Sequence, residues 1–105
     1  MRVNVSFKNM EKSQYLESII QKNSEKVKKR IKMFKRDDPV HLSLHIEKNP
    51  HRQQYICWTN LYLPKKVLKA QRTDRDAILC INNTFSALLK QIDKHKLKIE
   101  RHLRK

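Results

Sequence analysis

Glycine is entirely absent from the 105 residues of this chain. Phosphate-binding loops, dinucleotide fingerprints and nucleophile elbows each need glycine, because the backbone there approaches a ligand closely or adopts a positive φ. None of these motifs can be present. The adjacent acids Asp37 and Asp38 precede Pro39 and are typical of a turn rather than of acid–base chemistry. We therefore expect a protein that is not an enzyme, that needs no cofactor and that has no small-molecule substrate.

Cysteine and long apolar runs are also scarce. Cys57 and Cys80 are too few for a disulfide framework and lack CxxC spacing, so we expect free thiols in a reducing cytoplasm. No stretch approaches the roughly 18 apolar residues that a membrane span needs. The first ten residues, MRVNVSFKNM, lack the apolar run of a signal peptide. These absences predict a cytoplasmic protein without a membrane span.

Acidic residues are the third shortage, because 10 Asp and Glu stand against 25 Lys and Arg, for a formal net charge of +15. A compact domain with so much self-repulsion usually has a polyanionic partner that offsets it. Nucleic acid, an anionic membrane surface and acidic proteins are the candidates.

The period of the apolar residues changes along the chain. Alternation in RVNVSFK, VHLSLHIE and QYICWTNLYL predicts three strands, and VLKAQRT predicts a shorter fourth strand. Helical spacing predicts one helix from about Ser13 to the RDDP turn and a final helix capped by Asp74 or Asp76. The order β-α-β-β-β-α predicts one α+β domain over residues 1–105, with both helices on one face of a four-stranded sheet. We expect fraying beyond about His102.

Each predicted helix has an apolar stripe that can cover the sheet. The first stripe consists of Leu16, Ile19, Ile20, Val27, Ile31 and Phe34. The second consists of Ala77, Ile81, Phe85, Leu88, Ile92 and Ile99.

Lys and Arg concentrate on the same two helices, where acids are few. In the first helix, one flank of the apolar stripe carries Lys22, Lys26 and Lys29. At about 100° per residue, one row of the final helix consists of Lys90, Lys94, Lys98, Arg101 and Lys105. Like charges at i, i+4 destabilise an isolated helix by a few tenths of a kcal/mol per pair. Because such repulsive pairs recur along both helices, the pattern indicates a surface that binds phosphates rather than one that is merely solvated.

The segment DAILCINNTFSALLKQIDKHKLKIERH, residues 76–102, resembles the second helix of the ribosome hibernation-promoting factor and ribosome-associated inhibitor A family. The matched positions are Asp76, Ile81, Leu88, Gln91, Lys94, His95, Lys96 and Lys98. Asn82 departs from the family's usual Asp, and Thr84 from a common Leu. Because the element order and the length also match, the resemblance covers essentially the whole chain. The end at Lys105 predicts the short form of the family.

The resemblance implies a protein that binds the small ribosomal subunit and its rRNA in the channel of mRNA and tRNA, and so inhibits translation. It leaves open whether ribosome dimers form. Basic residues of both helices would contact RNA, and the candidates are Lys22, Lys26, Lys29, Lys90, Lys94, Lys96, Lys98 and Arg101.

Two other functions remain open from the residues alone. A general double-stranded RNA-binding domain without ribosome specificity would also use basic helices, and it would bind free duplex RNA equally well. A peripheral membrane module would need an exposed apolar face beside the basic one. Both apolar stripes are needed for the core, so we expect no membrane partner.

Several aromatic and histidine residues allow two interpretations. Core packing is favoured for Trp58, Tyr62 and Tyr55 over a stacking platform on an exposed sheet face. His95 is either a packing residue or a contact to RNA. His41 and His45 share a strand face at about 13 Å, which is too far apart for one metal ion, so no metal site is expected.

Overall fold

The computed structural model describes residues 1–31, 40–63 and 66–103, and side chains up to residue 98. The elements are β1 (Arg2–Lys8), α1 (Gln14–Ile31), β2 (His41–Lys48), β3 (Tyr55–Leu63), β4 (Lys66–Asp74) and α2 (Ala77–Leu103). This confirms the predicted β-α-β-β-β-α order and the α+β class. The predicted RDDP turn, the Phe34 position and the fraying at the last residues lie outside the described residues or side chains.

The four strands form one sheet in the order β1-β2-β3-β4. β1 pairs in parallel with β2, and the other two pairings are antiparallel. β4 was predicted to be shorter than β3, and this is wrong, since both strands have nine residues. The strand extends because the polar residues at both of its ends still pair with β3, from Lys66 opposite Leu63 to Asp74 opposite Tyr55.

Side-chain hydroxyl and carboxylate groups fix the start of both helices. Ser13 Oγ accepts a hydrogen bond from the Leu16 amide at 3.4 Å. Asp76 Oδ1 accepts bonds from the amides of Ile78 at 2.7 Å and Leu79 at 3.4 Å. These contacts satisfy amides that have no partner within the helix. Ser13 and Asp76 are therefore the caps; the helix start near Ser13 is confirmed, and of the two predicted alternatives Asp74 and Asp76 the structure selects Asp76.

The core lies between the two helices and one face of the sheet. Its central members, all without exposed surface, are Val27, Leu42, Ile46, Leu61, Ile81, Phe85, Leu88 and Ile92. Both predicted apolar stripes thus face the sheet wherever their side chains are described. The final helix also buries Cys80 and Thr84. Thr84 Oγ1 donates to the Cys80 carbonyl at 2.7 Å, which satisfies a polar group in the position where the family commonly has Leu.

The opposite face of the sheet is covered by neither described helix, and we call it the open face. Side chains alternate across a strand, so Trp58 and Tyr62 of β3 point to this face, where Tyr62 is exposed and Trp58 half-buried. Core packing of these two rings was predicted, and this is wrong. Tyr55 has an odd position in the strand, so its side chain points to the helix side of the sheet and is half-buried against the core. The reason is that the register of β3 leaves Cys57, Thr59 and Leu61 on the helix side.

A left-handed residue closes the loop between β1 and α1 in this chain without glycine. Asn9 has φ of 58°, the one positive value among the described non-glycine residues. Asparagine tolerates this region because its short side chain hydrogen-bonds locally.

Candidate nucleic-acid interface

The three predicted cations of α1 lie on its solvent side. Lys22, Lys26 and Lys29 are exposed, whereas the apolar stripe of the same helix is buried. Helical geometry places Lys29 roughly opposite Ile20 around the helix axis, at about 100° per residue. These three amines therefore project away from the sheet and towards any partner that covers the helical layer.

A row of exposed lysines follows α2, and we call it the α2 lysine row: Lys90, Lys94 and Lys98. They are one turn apart, about 6 Å along the axis. Lys96 belongs to another side of the helix, roughly 160° from Lys94 around the axis, and it is half-buried. The four α2 candidates whose side chains are described therefore form not one strip but two sets, with Lys96 apart from Lys90, Lys94 and Lys98. Arg101 lies in the helix, but its side chain is outside the described residues.

The two helices lie side by side and parallel, joined by two polar contacts. Arg30 donates from one guanidinium nitrogen to both carboxylate oxygens of Asp93, at 2.7 and 2.8 Å. Nearer the helix starts, Asn23 Nδ2 donates to Asn82 Oδ1 at 2.9 Å. Asn82 thus has an amide partner where the family usually has a carboxylate. Lys96 lies about 60° from Asp93 around α2, so it is on the side that faces α1.

A basic groove separates the α2 lysine row from the edge strand β4. Its lining comprises Lys66, Leu68, Gln91, Lys94, His95 and Lys98. The Gln91 side-chain amide donates to the Lys69 carbonyl and so ties α2 to the strand. Lys66 was not among the predicted candidates. It begins β4, and only the packing of α2 against β4 brings it beside residues almost thirty positions later.

His95 lies in this groove and is half-buried. Burial lowers its pKa below the ordinary value, and the positive charges of Lys66 and Lys98 lower it further. Both causes disfavour the imidazolium. The position fits both interpretations of the sequence, since the ring is packed at the groove and also lies among lysines that can bind phosphate.

The two cysteines are buried and free, as predicted. Cys80 Sγ donates weak bonds to the carbonyls of Arg72 at 3.4 Å and Tyr55 at 3.5 Å. Hydrogen bonding to Cys80, together with burial, raises the pKa of Cys57 far above its ordinary range. A thiol held protonated in this way is a poor nucleophile.

Within the described part of the chain, no three His, Cys, Asp or Glu side chains are grouped as a metal site would require. Neither of the described helices combines the length and the apolar composition of a membrane span. The described helical layer offers exposed ammonium groups arranged on a fixed frame.

Comparison with known proteins gives a family and a fold. Over residues 3–100 the sequence matches the family described as sigma 54 modulation protein / S30EA ribosomal protein. The structure is similar to the Protein Y N-terminal domain of Thermus thermophilus, with a TM-score of 0.73, 12% identity, and coverage of 90% of this chain and 99% of that one. It is also similar to a ribosomal subunit interface protein from Coxiella burnetii, with a TM-score of 0.74, 17% identity, and coverage of 92% and 99%. No curated protein matches the sequence significantly.

Proposed function

The chain belongs to the sigma 54 modulation protein / S30EA ribosomal protein family, which is that of the ribosome hibernation-promoting factors, and we propose that it binds the small ribosomal subunit and inhibits translation in resting cells. In this proposal the domain occupies the channel that mRNA and the A- and P-site tRNAs would use. The family match over residues 3–100 is the observation that carries it. The cytoplasm is then the place where the protein acts.

The helical layer supports this function because it presents unpaired cations on a fixed frame. Lys22, Lys26 and Lys29 cover the outer side of α1, and the α2 lysine row continues the positive surface towards β4. Such a surface can bind the phosphates of folded RNA with little reading of bases. Occupancy of the channel inhibits translation without catalysis.

The basic groove between α2 and β4 adds a concave phosphate site to this surface. Lys66, Lys94 and Lys98 approach it from two elements, so an RNA backbone that follows the groove meets charge from both sides. If about six phosphates are engaged, affinity falls by several orders of magnitude between low and moderately high salt.

The test is co-sedimentation with separated small and large subunits and with free duplex RNA, at low and near-physiological salt. We expect retention on small subunits alone at the higher salt. Substitution of the α2 lysine row by Lys90→Glu, Lys94→Glu and Lys98→Glu should weaken that binding about a thousandfold or more, since each of the three lost charged contacts contributes about 1.5 kcal/mol. In a translation assay the same variant should not inhibit.

A matched control makes the same charge change at the other end of the molecule, where both helices begin. Its substitutions are Lys12→Glu, Arg52→Glu and Arg75→Glu, all at exposed positions. We expect this variant to lose at most a small part of its affinity. If both triple variants weaken equally, or if duplex RNA is bound as tightly as the small subunit, the protein is a general double-stranded RNA binder and the proposal is wrong.

A further inference from the structure

The open face of the sheet carries a stacked pair of rings at its centre. His45 of β2 lies opposite Trp58 of β3 in the strand register, and the ring centroids are 4.0 Å apart with 26° between the planes. A hydrogen bond holds His45 on one side, where its Nδ1 lies 2.6 Å from Ser6 Oγ. Its buried Nε2 has no hydrogen-bond partner among the described residues and lies 3.5 Å from a carboxylate oxygen of Glu47. Trp58 is therefore supported on one side by a histidine that Ser6 orients.

The other side of Trp58 borders a shallow depression of about 470 Å³. Because β3 lies between β2 and β4, the histidine covers the β2 side of the indole and the depression lies on its β4 side. The lining includes Asn60, Lys69 and Gln71. A flat aromatic wall, two amides and one ammonium group are thus grouped around a space within the range of ligand sites.

This combination fits a nucleotide. Every base has a π-face that stacks on an aromatic side chain, amide side chains pair with base edges, and a lysine binds phosphate. Cations also outnumber carboxylates among the strand residues of this face, where Arg2, Lys8 and Lys69 stand against Glu47. The charge of the face is therefore complementary to a nucleic-acid backbone.

A second ring pair lies four residues away along both strands. His41 and Tyr62 contact each other edge to face at 5.6 Å between centroids, and His41 Nε2 lies 3.1 Å from the Asn4 amide nitrogen. Two ring pairs about 13 Å apart along the strands can each receive a base of the same RNA strand only if these bases are unstacked. Bases inside a duplex are not accessible in this way.

We propose that the open face is a second RNA-binding surface, which takes unpaired RNA with one base stacked on Trp58 in the depression. Lys69 binds the phosphate of that nucleotide, and Asn60 and Gln71 bind the edge of the base. This goes beyond the proposed ribosome function, because the surface lies on the opposite side of the sheet from the helices and its ligand is a free single strand.

Trp58 is the one tryptophan of the chain, so its fluorescence reports directly on this site. The probes are a single-stranded oligouridylate of about ten nucleotides and an RNA duplex of the same length, added to the full chain at near-physiological salt. Base stacking on Trp58 should make the single strand quench its emission saturably. Half-maximal quenching by the duplex should need an RNA concentration at least tenfold higher.

Charge reversal separates the open face from the helical layer. Lys69→Glu should weaken the affinity measured by quenching with the single strand tenfold or more, whereas Lys28→Glu, the same change at an exposed position of α1, should alter it less than threefold. In an anisotropy assay with labelled RNA, Trp58→Leu should weaken binding roughly fivefold to a hundredfold. Tyr15→Leu, at an aromatic residue of α1 that is 63% exposed, is its control.

The exposed position of Lys69 keeps the test decisive even if Trp58→Leu fails to fold. Equal effects of Lys69→Glu and Lys28→Glu would overturn the proposal, and so would equal quenching by duplex and single strand. Quenching by vesicles of anionic phospholipid but not by RNA would also overturn it. None of these outcomes depends on ribosomes, so this proposal and the proposed function can fail separately.

Discussion

The two broad surfaces of the molecule carry positive charge in different ways. On the helical layer, exposed lysines repeat at helical spacing and Asp93 is engaged with Arg30 at the seam between the helices. On the open face, the cations stand at the margins of a sheet whose centre holds histidine, aromatic and amide side chains. The first arrangement suits phosphates on a preformed RNA surface, and the second suits the flat faces and edges of bases.

The difference comes from the secondary structure beneath each surface. A helix projects long side chains at about 100° intervals, so one apolar stripe leaves most of its circumference to charge. A strand alternates its side chains, so neighbouring strands place rings and amides in rows about 5 Å apart. Charge can therefore accumulate on the helices, whereas defined contacts between neighbouring groups arise on the sheet.

The two surfaces should lose RNA binding together only when the core between them is disrupted. Phe85, which has no exposed surface, packs between the helices and the sheet. Phe85→Ala should lower the free energy of unfolding by about 3–5 kcal/mol, because it leaves a cavity. Urea denaturation monitored by circular dichroism and by Trp58 emission would measure this. Leu79→Ala, at a position of the same helix that is 50% exposed, should stay within about 0.5 kcal/mol; similar losses for the two variants would contradict the assignment of the core.

Neutralising the seam between the helices should affect the helical layer alone. Asp93→Asn removes the partner of Arg30, and this exposed pair should contribute at most about 1 kcal/mol to stability. The freed guanidinium should raise affinity for the small subunit severalfold and leave the quenching of Trp58 by single strands unchanged. Glu17→Gln makes the same charge change at an exposed site in the first turn of α1. Equal gains for both variants in a binding titration would show that only total charge matters.

The smallest effect expected is on the protonation of His95. Its pKa is lowered by burial, Lys66 and Lys98, so as pH falls through about 6.5 the unfolded chain binds the proton first and the fold loses stability. Above that pH, His95 contributes nothing to the pH dependence of the free energy of unfolding. An NMR titration should show the His95 pKa rising in Lys66→Met but not in Lys48→Met, which lies in another strand.

The same titration distinguishes the two surfaces when RNA is bound. Phosphates in the basic groove should raise the pKa of His95, because a nearby negative charge favours the imidazolium. A single strand on the open face should leave it unchanged. A rise caused by single strands that also quench Trp58 would mean that the two surfaces do not act independently.

Much of the fold could be predicted because its signals are local. The change between alternating and helical apolar spacing located all six elements, and Ser13 and Asp76 are caps because each accepts amide bonds from residues two or three positions along the chain. The concentration of lysine on the helices was equally visible. These features depend on the geometry of one element and its immediate neighbours, which the order of residues specifies directly.

What the sequence by itself determined is thus the order of the elements, the buried side of each helix and the excess of positive charge. Only the tertiary structure decided that Lys66 lies at the groove with Lys94 and Lys98, that Lys96 lies on the other side of α2, and that Trp58 stacks on His45. The physical reason is that these contacts join residues distant in the chain, through strand register and the packing of α2 on β4. Periodicity shows which face of an element is apolar, but it does not show which residues of another element lie opposite.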